Sequence, residues 1–187
     1  MEVRSRFGFM AFHGGHLEAV TDVVADRAAR QAGASYYGVL HPKGLDLHLP
    51  STHFRPEGSP TLASFLAHVD VVVTVHGYGR RGLWTSLLAG GRNRVLAAHL
   101  RDQLAPALPG YDIITDMEQI PAGLRGQHVD NPVNRPPNAG VQLELPPRVR
   151  GESPRSPRKG PDGLSKPTRD LIDALAGAAQ AWPLTSN

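Results

Sequence analysis

The sequence predicts an α/β fold in three layers, with a mostly parallel or mixed central sheet and helices on both faces. Three observations carry this expectation. Strand-like and helix-like segments alternate along the chain, the pattern of βα units rather than of separate all-β or all-α bodies. Residues 69–75, reading VDVVVTV, form a continuous β-branched run of the type buried on both faces of a parallel sheet. After a strand-like stretch from Arg6 to Phe12, the apolar residues Leu17, Val20, Val24, Ala28 and Ala32 recur at helical spacing.

The elements follow in order. Gly33 stops the first helix, Ser35 to Leu40 is a second short apolar run, and Leu45 to Leu49 a third. A turn-rich stretch from Pro50 to Pro60 leads into a short helix from Thr61 to His68. The 69–75 strand delivers His76 at its end. A glycine-rich loop then precedes a helix from Arg92 to Leu104 and a strand from Tyr111 to Thr115. The connection from Asp116 to Ala139 contains four prolines and is too polar for a core element, so it is expected to be functional or disordered. Gly140 to Leu145 is the last strand, Pro146 to Pro167 an irregular linker, and Thr168 to Ala181 a final helix with an alanine-rich face.

At 187 residues the chain has the length of one domain with a tail, and 20 Gly with 17 Pro make it rich in turns. The division expected is a body over residues 1–150 and a Pro/Gly/Arg-rich linker with a C-terminal helix over 151–187, its stretch 152–166 poorly ordered. With 0 Cys, disulfides, thiolate metal sites and cysteine nucleophiles are excluded, and any metal must be held by His, Asp or Glu. No apolar stretch reaches the roughly 18 residues of a membrane span and no signal peptide is visible, so a cytoplasmic protein is expected. A net charge of +3 points to an anionic partner. Much of that basicity lies in the C-terminal segment, which reads as a solvated linker rather than a nucleic-acid surface. With aromatics at 6 % and no stacking ladder or zinc-finger spacing, nucleic acid is not the expected partner.

In an open α/β sheet ligands collect beyond the carboxyl ends of the strands. His13 and His76 both stand there, each followed by glycine. Glu18 follows His13 by five residues, at the expected start of the first helix, where its carboxylate can fold back across Gly14-Gly15. Two imidazoles and one carboxylate form the open ligand set of catalytic zinc, with a fourth position left for water. Taken singly, each histidine also fits a satisfied core histidine, and Glu18 a first-turn acid facing the helix dipole. His16 competes for a ligand place but points elsewhere if His13 ends a strand. The nucleophile elbow G-x-S-x-G of serine hydrolases is absent.

The blocks FHGGHLE (12–18), LPSTHF (49–54), VVTVHG (72–77), AGG (89–91) and GVQLELP (140–146), in this order, resemble the phage-type poly-gamma-glutamate hydrolases. The resemblance spans roughly residues 7 to 150. It implies a zinc-exopeptidase-like fold and a zinc amidohydrolase that cleaves γ-glutamyl or related glutamate amides. It maps the zinc ligands onto His13, Glu18 and His76, and the carboxylate that activates the attacking water onto Glu144. From alternation alone, Glu144 shares a strand face with Gln142 and Pro146, and it reads equally as a solvent-facing residue of an edge strand.

An anionic glutamate-containing polymer or a small amide needs cations and clamps near the site. Arg80, Arg81, Arg92, Arg148 and Arg150 lie close to the motif blocks, and Arg150 is the first choice because it follows the Glu144 strand. Asn131 and Asn134 from the long loop are the expected uncharged clamps, and Thr52 and His53 of STHF line the pocket or cap a turn. A non-catalytic metal-binding protein, a nucleic-acid-binding protein and a zinc deacylase of another N-acyl amino acid are the competing readings.

Overall fold

In the computed structural model, residues 1–45 and 47–183 are described. Among these residues six strands form one sheet: β1 (Phe7–Gly15), β2 (Ser35–His41), β3 (Val71–Gly77), β4 (Ser86–Ala89), β5 (Asp112–Ile114) and β6 (Gly140–Leu145). Their order is β2-β1-β3-β6-β4-β5. The block β2-β1-β3-β6 is parallel, β4 and β5 are parallel to each other, and β4 runs antiparallel to β6. The sheet is therefore mixed, as the sequence allows.

Among the described residues four α-helices flank it: α1 (Thr21–Ala32), α2 (Pro60–His68), α3 (Arg94–Ala107) and α4 (Lys166–Ala181). Strand alternation sorts the core. Val71, Val73 and Val75 of β3 and Val141, Leu143 and Leu145 of β6 face the layer of α1, α3 and α4. The opposite face takes Met10, Phe12 and Val72 under Leu62, Phe65 and Leu66 of α2. Helices thus cover both faces. No helix among the described residues is long and apolar enough to cross a membrane.

Helix α4 closes the first of these layers. Leu171, Ile172, Leu175, Ala178 and Ala179 are buried in the same cluster as Val24, Ala25 and Ala28 of α1. Thr168 Oγ1 donates to the Val149 carbonyl at 2.7 Å, tying the helix start to the chain just after β6. The alanine-rich face is what lets α4 come close to α1.

Two expected elements differ. The Leu45 to Leu49 run, whose Asp46 lies outside the described residues, forms no strand: Leu45, Leu47 and Leu49 are exposed at 47, 57 and 36 %, and no strand accepts the segment. Conversely, the glycine-rich stretch after His76 contains β4. That strand is only four residues long and wholly buried, so it shows no alternation to read. The loop 78–85 from β3 to β4 passes over the end of β6, which lies between them.

Candidate metal centre and active site

His13 comes from β1, and a bulge aims it. Between Ala11 and Gly14 the register against β2 slips by one residue. A regular strand would place His13 on the face of Phe9 and Ala11, against α1; the extra residue turns it toward the face of Phe12 and the end of β3. The glycines that follow allow this. A Cβ on Gly14 would lie 2.4 Å from Asp22 Cβ, and Gly15 has φ +72°.

Glu18 lies before α1 rather than in it. Its amide donates to the His13 carbonyl at 2.7 Å, its own carbonyl accepts from Thr21, and Val20 takes a left-handed φ of 77° to enter the helix. A β-branched residue there is strained, at a cost of order 1–3 kcal/mol. The turn holds the carboxylate inward, where the Gly77 amide donates to Oε2 at 2.8 Å.

The donor atoms converge. His13 Nδ1 is 3.0 Å from Glu18 Oε1 and 3.2 Å from His76 Nδ1, and His76 Nδ1 is 3.4 Å from Glu18 Oε2. All three residues are buried, at 1, 7 and 3 % exposure. The remaining ring nitrogens are held: His13 Nε2 donates to the Leu49 carbonyl at 2.8 Å, and His76 Nε2 meets Ser51 Oγ at 3.3 Å. Because a carbonyl only accepts, the proton of a neutral His13 belongs on Nε2, and its Nδ1 lone pair then faces a carboxylate oxygen. Such an arrangement is repulsive unless a cation or a proton lies between them. Spacings of 3.0 to 3.4 Å match the edge of a tetrahedron, about 3.3 Å for ligands at about 2.0–2.1 Å from a metal. The donor set therefore fits a small divalent cation.

His48, which the sequence reading passed over, stands beside this set. Its Nε2 is 3.0 Å from Glu18 Oε1, and its ring stacks on His13 with centroids 4.2 Å apart. His13, Glu18 and His48 form a group whose ligand atoms lie within 4.8 Å of one another and that could hold a metal. No periodicity marks His48 in the sequence, because its segment forms no strand and the leucines around it are exposed. His16 is exposed and does not join the cluster.

Glu144 stands opposite His76 in the β3–β6 register. It lies on an interior strand, 3 % exposed, so the edge-strand alternative is not what the fold presents. Gln142 on the same face donates from Nε2 to Glu144 Oε1 at 2.8 Å, and Asn131 Nδ2 donates to Gln142 Oε1 at 2.7 Å. Burial pushes the Glu144 carboxyl up to about 6, against the opposing pull of His76. Glu18 behaves oppositely: burial alone would raise it, but the adjoining His13 and His76 rings, where they carry charge, hold it well below the usual carboxylate range. Burial likewise opposes the charged His76 ring, and its contact with Glu18 outweighs that and raises it.

These groups line a cavity of about 400 Å³ together with Thr52, Asn131 and, from the long connection, residues 122–124 and 126–128. Of the substrate residues expected from the sequence, Asn131 lines it, with its amide already committed to Gln142 and its Oδ1 to the Val133 amide. Three do not. Asn134 pins the connection, accepting from the Arg92 amide and donating to the Gly126 and His128 carbonyls. His53 is exposed in a separate depression with Tyr37 and Phe54. Arg150 lies behind Gly77, where a Cβ would come within 2.8 Å of its guanidinium carbon, and donates to the Ala19 and Leu145 carbonyls. It was placed at the cavity on proximity in sequence, and the turn after β6 folds it under the site instead.

No curated protein matches the chain. Among solved structures it is similar to a bacteriophage poly-gamma-glutamate hydrolase, at 22 % identity over 95 % of this chain and 84 % of that one, with a TM-score of 0.73. It is also similar to YndL in its zinc-free apo form, at 23 % identity over 97 % of this chain and 87 % of that one, with a TM-score of 0.75. Those likenesses concern the fold. Kinship rests on the sequence itself, because residues 1–153 match the family described as poly-gamma-glutamate hydrolase, and the chain belongs to that family.

Proposed function

We propose that this amide-bond hydrolase holds one zinc ion through His13, Glu18 and His76 and uses Glu144 as general base on a γ-glutamyl or related glutamate amide. The observation that carries the reading is the convergence of three buried side chains, the His13 and His76 Nδ1 atoms lying within 3.4 Å of each other and each of one Glu18 carboxylate oxygen, with Glu144 in register beside His76. When bound, zinc supplies Lewis acidity, making water a nucleophile near neutral pH and polarising the scissile carbonyl.

The chain's own residues supply the rest. Leu49 O and Ser51 Oγ hold the two rings by their far nitrogens, which fixes the tautomer and aim of His13 and orients His76. Glu144, pushed up to about 6, takes a proton from the attacking water and returns it to the leaving amine. The Asn131–Gln142 pair fixes the direction of the Glu144 carboxylate. Arg150, under Gly77, offsets part of the negative charge of Glu18 and Glu144 from behind. His48 borders the entrance and shields Glu18.

Chelation is expected to abolish release of glutamate-containing fragments from poly-γ-glutamate, and added zinc to restore it. A chelated protein that keeps full turnover overturns the reading.

A further inference from the structure

A second concavity, of about 310 Å³, is lined by Trp84, Arg148, Ser153, Pro154 and Arg155. That size is at the lower end of small-ligand sites, about 300–1,000 Å³. Trp84 is 46 % exposed, an unusual position for an indole. Among the described residues neither Arg148 nor Arg155 has a carboxylate within ion-pair distance; Glu152, nearby in sequence, is taken by Lys159 at 2.7 Å. Arg148, which lines this hollow, has its Nε buried with no hydrogen-bond partner in the protein.

Its place in the fold ties it to the active site. The Tyr78 amide donates to the Leu145 carbonyl at 3.1 Å, so the chains leaving β3 and β6 run side by side from the ends that carry His76 and Glu144. Trp84 lies on the first of these segments and Arg148 on the second. The Tyr78 hydroxyl donates to the Leu83 and Ser86 carbonyls and pins the loop that presents Trp84.

We infer that Trp84, Arg148 and Arg155 form a distal subsite that grips a pendant carboxylate and the adjoining methylenes of an anionic amide polymer whose scissile bond lies in the metal cavity. The inference rests on the proposed hydrolase reading and extends it to chain length. A γ-linked glutamate chain presents in each repeat two main-chain methylenes and one free carboxylate. The indole face suits the methylenes and the two guanidinium groups suit the carboxylate, bidentate where the geometry allows. Among the described residues no arginine lines the metal cavity, so guanidinium recognition of the polymer's carboxylates would come from outside it.

The test compares kcat/KM on poly-γ-glutamate of some tens of residues with kcat/KM on a γ-glutamyl dipeptide, for wild type, Trp84→Ala and Arg155→Glu. Both substituted residues are exposed, so the fold tolerates the changes. The long-to-short ratio is expected to fall about tenfold, through KM, as for loss of a charged hydrogen bond. Ratios within twofold of wild type, in a preparation that cleaves the polymer, overturn the subsite. If wild type cleaves neither substrate, the hydrolase reading fails, and the subsite is judged by Trp84 fluorescence in a Trp182→Phe background. A saturable change with poly-γ-glutamate that Arg155→Glu removes supports it. No change, or a change only with single-stranded DNA, overturns it.

Discussion

Replacing Glu144 by Gln should move activity and stability in opposite directions. The substitution keeps the volume of a side chain that is 3 % exposed and keeps an oxygen to accept from Gln142 Nε2. It removes the base, so turnover should fall by about 100-fold to 10,000-fold. In metal-free protein the same change should stabilise. A carboxyl raised from 4.5 to about 6 binds its proton more tightly when folded, so folding stability is lost as pH rises between those values. A shift of about 1.5 pH units corresponds to about 2 kcal/mol at pH 7, or a Tm difference of about 4–8 °C for a chain of this length. Glu144→Gln should recover that difference at pH 7 and show none at pH 4, where Glu144 is protonated in both folded and unfolded chains. Calorimetry of chelator-dialysed protein at the two pH values, beside turnover of the zinc-loaded protein, measures both arms. Equal stability of variant and wild type at pH 7, or near-normal turnover of the variant, would refute the assignment of a buried, raised general base.

Elemental analysis should find about one zinc per wild-type chain and almost none in His76→Ala; equal contents would remove His76 from the ligand set. Gly140→Ala places a Cβ 2.2 Å from the Val72 carbonyl oxygen, so it must spread the β3–β6 pair that sets His76 beside Glu144. A loss of about 1–3 kcal/mol in denaturant unfolding, together with lower turnover, is expected. Limited proteolysis should cut first within residues 152–166, where charge, proline and glycine dominate. Truncation after 150 should nonetheless unfold the protein, because Leu171, Ile172 and Leu175 each contribute about 1.5–3 kcal/mol of burial against a typical total of about 5–15. A soluble, cooperatively melting 1–150 fragment would show that the body folds by itself.

Strand-end position singled out His13 and His76 in the sequence, and Glu144 came from the resemblance; in the fold β3 and β6 are regular, so His76 and Glu144 are left side by side on the cavity side. His13 is different. Period-two reading puts it against α1, and only the bulge, a tertiary feature of the β1–β2 pairing, turns it toward His76. Sequence distance misplaced Arg150 and Asn134, because turns reverse side-chain direction within a few residues. His48 was not legible, because it lies in an irregular segment that only the fold brings to Glu18. The packing of α4 was open in the sequence because its alanine face is only weakly apolar; its fit against α1 depends on closeness rather than on hydrophobic bulk.

The position of β6 between β3 and β4 also orders the assembly of the molecule. Loop 78–85 joins β3 to β4 before β6 has been made, and β6 must then enter the gap between two strands already linked above it. Its pairings span about 68 residues of chain to β3 and about fifty-five to β4, a non-local closure of the same order as the β1–β3 pairing. A form that β6 has not yet entered would lack Glu144 beside His76, so on the proposed reading it could hold a metal without cutting, and activity on refolding would return only once β6 is in place.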